Sequence, residues 1–570
     1  MRPAKRRTAR ARRRYAPAAF RAALARARCF LATSRAVPTA AAFAVATAFF
    51  VAVRVAAQVP QRPDDLRLPP RVVTIPDPAG MRHALKNGIP VFVAEDHSLP
   101  LVQVHLAVAA GDFQDPRDRI SLAGLTGALL RRGGAGQWDA DAFDARADLL
   151  AADLDSIGAS TRSGVSLDCG SRVLAEALPL FAAMVRAPSV EAGRFERARA
   201  NLRESLARRE DDPLDVLDRE WGFLLLGRDH FTTREVQPAS LQAMTREDLV
   251  AFHREHWRPS RMVIAVSGDV EAKAVVTALD GLLGDWRDDA TATVATTAAP
   301  QAAAIQSTKI DDTTPRASAA VTASTATDAL PLALQSTELP PPPAAGVYLR
   351  HWPGPQAKIA LGHRGPVRQG WDDPDEPALL VLAEVLGGDG AVSRLRRKLR
   401  AEEGLAYRAR ARLTLGLQVP GTFQVFLETA PANAARALEI ARRELLLLRD
   451  EPVPEPELAI AKRSLLDLFP LLFDSAERRA GRAAEDVLLG RPHSYWQRYR
   501  DRIAAVTARD VQAAARRHIR PDELVAVVVG DRDAILAGAR ADRVDLAGLL
   551  GPLHELPRRD PLTLAPLTAP

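Results

Sequence analysis

The sequence predicts an α+β fold built twice: two tandem, related domains, each a mostly antiparallel sheet with helices packed on it. Three observations lead there. The stretch TREDLVAFHREHWRPSRMVIAVSGD from Thr245 returns as TARDVQAAARRHIRPDELVAVVVGD from Thr507, 262 residues later and without a gap. Eleven of the 25 positions are identical, among them Asp248, Arg254, His256, Pro259, Gly268 and Asp269. A period this long means paired whole domains, not a solenoid. Strand-like and helix-like segments mix within each half. Between the halves lies a stretch of Ala, Thr, Ser and Pro, too poor in large apolar groups to offset its ordering entropy.

Length and charge fit that layout. A chain of 570 residues exceeds one core and suits two to four domains. Residues 1–54 hold 13 of the 77 Lys and Arg and no acid, so the net +7 of the whole chain becomes −6 for the remainder. The folded part is mildly acidic, and the basic footprint of a nucleic-acid binder is absent. Residues 1–57 read as a secretory leader: an Arg-rich start, an apolar run over 36–53, then small residues at Val55 and Ala57. An uncleaved anchor through 36–53 is the alternative, since its 18 residues are at the short end for crossing a bilayer. Either way the body lies outside the cytoplasm, free in the periplasm or held at the inner membrane and facing it. Cys29 falls in the leader, which leaves Cys169 alone, in a strand-like context that suits a small buried hydrophobe.

The elements follow in order. Residues 58–79 are a Pro- and charge-rich spacer. The first domain spans 80–286 and opens with strands, IPVFVAEDH and LVQVHLAVAAG, that partly alternate in polarity. Helices are predicted over 121–132, 139–152, 171–187 and 191–210; the last sets Phe195, Ala198, Leu202 and Leu206 near one face, as a surface helix does. MVIAVSGDV closes the domain as a mostly buried strand. Residues 287–345 read as a flexible linker ending in polyproline. The second domain spans 346–535, from GVYLRHW to VVVGD, and a Pro-rich tail occupies 536–570.

Several of these segments, in the right order, resemble the pitrilysin/insulinase family of zinc peptidases, the inverzincins. LKNGIPVFVAEDHSLPLVQVHLAVAAGDFQD resembles the opening strands of that family's N-terminal domain, and TREDLVAFHREHWRPSRMVIAVSGDV its closing helix and strand. GVYLRHWPGPQAKIALGHRG, LGGDGAVSRLRRKLRAEEGLAYRARA and TARDV…VVVGD resemble the C-terminal domain. The likeness covers about residues 80–286 and 346–535. It implies a metallohydrolase-like fold whose two lobes form half of a clamshell.

The resemblance also implies a metal site, H-x-x-E-H on a helix with a further Glu some 75 residues on. Two His at i and i+4 take Zn²⁺ as neutral imidazoles, and the Glu between them is the base for a metal-bound water. The motif should fall in SLAGLTGALLRRGG, and there this chain departs from it. Aligned on Gly124 and Leu125, Gly127 stands at the first His position, Leu130 at the base and Arg131 at the second His. A guanidinium cannot ligate a cation. The second half offers no substitute, for its equivalent helix reads PALLVLAEVLGG (377–388). Glu204, 77 residues after Gly127, remains as an orphan carboxylate, and Arg131 or Arg132 is expected to pair with it. His253, Glu255 and His256 spell HREH, one residue too few for the motif, and read as an ordinary histidine pair on a surface helix. No metal is expected on this chain.

The C-terminal lobe of the family supplies an Arg and a Tyr that reach toward substrate, seven apart in L-R-x-x-x-G-L-x-Y. LRAEEGLAY gives Arg400 and Tyr407 at that spacing. The bland alternative is that Tyr407 packs at the start of a strand and Arg400 caps a helix end. Gly387, Gly388 and Gly390 occupy the place of the glycine-rich loop of non-catalytic subunits, and equally suit a helix C-cap and turn. The resemblance therefore implies a non-catalytic subunit of an exported zinc endopeptidase, similar to the partner chain of bacterial heterodimeric members. It would contribute peptide binding, with zinc carried by a homologous partner. The alternatives are a scaffold of the same fold with no part in proteolysis, and an active peptidase, which would need ligands the sequence does not offer.

Overall fold

The structure, a computed structural model, describes residues 75–288, 339–388 and 393–567. The predicted leader, most of the spacer and linker, and Gly390 lie outside the described residues. Among the described residues no helix is long and apolar enough to cross a membrane.

The first half builds a six-stranded sheet from β1 (Arg82–Ala84), β2 (Pro90–Glu95), β3 (Leu101–Val108), β4 (Asp153–Ile157), β5 (Ser163–Gly170) and β6 (Met262–Gly268), in the order β1-β2-β6-β3-β5-β4. Only β2 and β6 run parallel. Its helices are α1 (Leu122–Arg132), α2 (Ala140–Leu149), α3 (Leu174–Arg186), α4 (Ala192–Ala207), α5 (Pro213–Leu226), α6 (Pro238–Ala243), α7 (Arg246–His256) and α8 (Ala272–Leu283). The second half repeats the plan with β7 (Gly346–His351), β8 (Ala357–Arg364), β9 (Ala406–Leu413), β10 (Thr422–Thr429), β11 (Val525–Gly530) and β12 (Leu553–Leu556), ordered β12-β7-β11-β8-β10-β9. Its helices are α9 (Glu376–Gly387), α10 (Ala434–Asp450), α11 (Glu455–Leu468), α12 (Ala476–Leu489), α13 (Ser494–Ala505), α14 (Ala508–His518), α15 (Arg532–Ala541) and α16 (Leu546–Leu550).

The duplication is visible in three dimensions. A shift of 262 residues carries α7 onto α14 exactly in register, and α4 and α5 onto α11 and α12 to within about one residue. Both α7 and α14 start in the same way. Thr245 and Thr507 each accept the N–H three residues on, and Asp248 and Asp510 reach back to the Thr N–H. These reciprocal capping boxes satisfy backbone donors that would otherwise be orphaned.

Strand polarity sets which faces are covered. In β3, Val102, Val104, Leu106 and Val108 enter the core while Gln103 and His105 are only half-buried, as period-two alternation demands. Cys169, on neighbouring β5, is a buried free thiol in the same core. The central strand β6 is apolar throughout because both its faces are covered. Met262, Ile264 and Val266 pack with α3 and α8. Val263 and Ala265 pack with Ala476, Ala480, Ala484 and Leu488 of α12, a helix from the other half. The exchange is reciprocal. Val216, Leu217, Trp221 and Leu225 of α5 cover Tyr348, Ala360, Val525 and Val527 of the second sheet. Each half thus lends its partner one helix.

Charged groups lock this seam. Arg350 on β7, 2% exposed, donates to Glu210 at 2.7 Å, and Glu210 also accepts from Arg219. The stretch from 536 onward, expected as a tail, is part of the second domain. It supplies α15, α16 and β12, and β12 pairs in parallel with β7 where β1 stands in the first sheet. Beyond it, Arg559 makes a buried two-pronged ion pair with Glu220 on α5, at 2.5 and 3.0 Å. Its Pro content concealed a short strand whose few side chains give little periodicity.

Candidate functional site

The sequence points to two places: the stretch of α1 aligned with the metal motif, and the Arg400/Tyr407 pair beside β9. The start of α1 is fixed by Asp115, whose carboxylate accepts the N–H groups of Ser121 at 2.7 Å and Ala123 at 2.8 Å. Burial pushes the Asp115 carboxyl up to about 7, helped by the neighbouring Asp112 and opposed by those N–H donors.

At Gly127 the helix touches the hairpin between β4 and β5. A Cβ added there would lie 2.3 Å from the Gly158 nitrogen, and one added at Gly158 would lie 2.4 Å from the Ala123 carbonyl oxygen. The two glycines allow backbone against backbone. The contact is tied by Ser156, whose Oγ donates to the Gly127 carbonyl at 2.6 Å and accepts the Arg131 N–H at 3.1 Å. Leu130 is fully buried in the core.

Arg131 does not pair with Glu204. Its Nε donates to the Leu154 carbonyl at 2.9 Å, and its Nη1 bonds Asp144 on α2. The guanidinium lies 5.3 Å from the centre of the Phe143 ring. Glu204 instead points to solvent from α4 and meets Arg208, one helical turn on, at 3.1 Å. Arg132 is exposed. Spacing along the chain named the carboxylate but did not fix the rotation of α4, which turns Glu204 outward.

The HREH segment is also differently placed. His253 is buried on α7 rather than at the surface: its Nε2 lies 2.9 Å from the Val185 carbonyl oxygen, and its ring stacks on Trp257. His256 packs on Phe252. Burial holds both imidazoles at about 4, with Arg261 and Arg258 adding to the effect at His256. Both are therefore neutral, but no further ligand joins them. Among the described residues, no group of three or more His, Cys, Asp or Glu is placed to hold a metal ion. The groups around Gly127 do not fit a metal: one position has no side chain, one is aliphatic and one is cationic.

Arg400 and Tyr407 do come together. Arg400 lies in a π-helical turn, Arg396–Glu402, and Tyr407 near the start of β9. Gly404, at φ +66°, takes the left-handed conformation that reverses the chain between them. Ala406 then pairs with Thr429 and Arg408 with Glu428, so Tyr407 is an extra residue, a β-bulge. Bulges re-aim side chains, and Tyr407 is 75% exposed instead of packing in the core. The Arg400 guanidinium lies 4.7 Å from the centre of its ring, within cation–π range. A guanidinium and a phenol O–H are thus presented side by side. The motif's spacing announced the pair; the bulge that exposes it had no sequence signal. Nearby, Gly388 is the C-cap of α9, and a Cβ on Gly387 would meet the Ala411 nitrogen at 2.3 Å. These glycines serve a helix end and a close contact.

Residues 243–465 match the family description "Peptidase M16 inactive domain". An uncharacterized zinc protease of Mycobacterium tuberculosis is 29% identical over 329 residues, covering 57% of this chain and 65% of that protein. The chain thus spans about two thirds of the length of such mycobacterial relatives. The non-peptidase homolog YmxG of Helicobacter pylori is 19% identical over 450 residues, covering 78% of this chain and 92% of that one. The crystal structure of a peptidase M16 inactive domain from Pseudomonas fluorescens superposes with a TM-score of 0.63 at 24% identity, over 79% of this chain and 97% of the other, and shares its fold. With two α+β domains that each lend the other a helix, and with Gly127, Leu130 and Arg131 at the positions of the metal motif, the chain is similar to the M16 inactive-domain proteins and has their fold.

Proposed function

We propose that the chain is the non-catalytic subunit of an exported zinc endopeptidase, binding peptide for a homologous partner that carries an intact H-x-x-E-H. One observation carries the reading. The position where a metal helix would present its first ligand is closed by a glycine–glycine contact, while Arg400 and Tyr407 stand exposed and stacked. The chain has lost the groups that would activate water and keeps the groups that would hold substrate. Both side chains donate hydrogen bonds, and aimed at a peptide carbonyl they orient it and stabilise the negative charge that grows on its oxygen. The base and the metal are supplied by the partner. Export rests on the leader over 1–57 and places the complex in the periplasm.

The test mixes this chain with a purified partner bearing H-x-x-E-H and follows a quenched peptide. Turnover should need both chains. Arg400→Ala and Tyr407→Phe should each lower it about 10²–10³-fold, the loss typical of an oxyanion donor. Unchanged turnover with either variant overturns the assigned role. Unchanged turnover when this chain is omitted supports a scaffold instead.

A further inference from the structure

Three helices of the first half end around one cleft. It lies between the last turns of α3 and α7 and the segment after α8, and its volume is about 240 Å³. Arg186, Arg254, Arg258 and Arg287 line it, with Trp257 and Trp286. No carboxylate is among the described residues that line it. The four cations are engaged to different degrees. Arg186 holds Asp285 in a two-pronged pair at 2.6 and 3.1 Å, and Arg258 is also engaged. Arg287 donates to the carbonyls of Gly284 at 2.6 Å and Trp286 at 3.1 Å, which leave its charge in place. Asp280 and Asp285, which feel that charge, already hold Lys86 and Arg186. Arg254 is exposed and has no hydrogen bond or ion pair to any described residue.

The second half shows the same place closed. The 262-residue shift sets Val250, His253, Arg254 and Trp257 over Gln512, Ala515, Arg516 and Ile519. It also carries α3 onto α10 to within two residues. Gln512 and Arg516 donate to the carbonyls of Asp450 and Arg449, at the end of α10, at 2.9 and 3.0 Å. In the first half His253 serves the end of α3 instead, with its Nε2 2.9 Å from the Val185 carbonyl oxygen. Arg254 is thereby released, Val250 stays 40% exposed, and an indole stands where the second half has an isoleucine. Helix ends attract cations by themselves, and three of them meet here. That accounts for the guanidiniums, but not for leaving one unbonded beside an aromatic wall. The duplicate meets the same helix end with its Arg bonded to a carbonyl.

We infer that this cleft binds a small aromatic carboxylate, with Arg254 and Arg287 at its anionic end and Trp257 and Trp286 against its ring. A guanidinium fork meets a carboxylate in two parallel hydrogen bonds, and indoles favour a flat ring in offset or edge-on contact. Sites for drug-sized ligands measure about 300–1,000 Å³, so this smaller cleft suits a ligand of one or two rings. The site belongs to the first half, whereas Arg400 and Tyr407 belong to the second, and it does not depend on the peptide-binding reading.

The test is titration of the full chain with benzoate, followed by ligand-observed saturation-transfer NMR. Benzamide, cyclohexanecarboxylate and a short peptide ending in Phe with a free carboxylate serve as comparisons. Benzoate should bind about tenfold tighter than benzamide and lose affinity as salt rises. Arg254→Ala should weaken it about tenfold, and Arg287→Ala should weaken it as well. Arg516→Ala, the same change at the duplicated position, should leave it unchanged. Arg254 and Arg516 are both exposed, so neither change empties the core. Equal binding of benzoate and benzamide overturns the site, as do equal losses from Arg254→Ala and Arg516→Ala. Cyclohexanecarboxylate binding as tightly as benzoate overturns the aromatic class. Tighter binding of the peptide would make the cleft a seat for chain ends and overturn the small-molecule assignment.

Discussion

Gly127 has room for a hydrogen and no more. Replacing it with Ala would ordinarily stabilise a helix by about 1 kcal/mol. Here the new Cβ would lie 2.3 Å from the Gly158 nitrogen, and backbone cannot swing aside as a long side chain can. Gly127→Ala is expected to cost about 1–3 kcal/mol, the range for overpacking, measured by urea denaturation. The triple change Gly127→His, Leu130→Glu, Arg131→His should for the same reason fail to take up stoichiometric zinc. The loss of the motif was legible in the sequence, because three wrong residue types at fixed offsets suffice to see it. Its closure was not. Gly158 lies on a distant hairpin, and nothing about a lone glycine says which backbone it touches. The Arg131–Glu204 pair failed for a related reason: loop and helix rotation, not spacing, decides which side chains meet.

The repeated elements were the most readable part of the fold. A gapless repeat fixes that both halves end in the same capped helix and buried strand, and α7/β6 and α14/β11 do. What the repeat could not say is that α5 and α12 cross over. Amphipathic helices announce an apolar face but not its destination. Once crossed, α12 lays alanines against β2 and β6, and such a close seam tolerates little added volume. Ala480 is fully buried there. Ala480→Leu is expected to cost about 1–3 kcal/mol. Because the seam belongs to both halves, calorimetry should show one transition moving to lower temperature. A second, unshifted transition would mean that the halves unfold independently and that the exchange does not couple them.

For the whole molecule, the exchange makes the end of the chain a structural part of its middle. β12 completes the second sheet, and Arg559 reaches back to Glu220 on the helix that the first half lends to that sheet. Composition hid this, because a Pro-rich stretch reads as a tail unless its partner is known. The pair is 6% and 3% exposed, so its two charges were taken out of water together. Removing one leaves the other buried and uncompensated, at a cost of about 3–5 kcal/mol, whereas replacing both with apolar groups of similar size is often near neutral. Arg559→Met is therefore expected to destabilise strongly, and Arg559→Met with Glu220→Leu to recover most of the loss. Denaturant midpoints of the two single variants and the double variant measure the coupling directly. If Arg559→Met alone leaves the midpoint in place, the C-terminal segment is not anchored on α5, and the two halves are held by their exchanged helices without it.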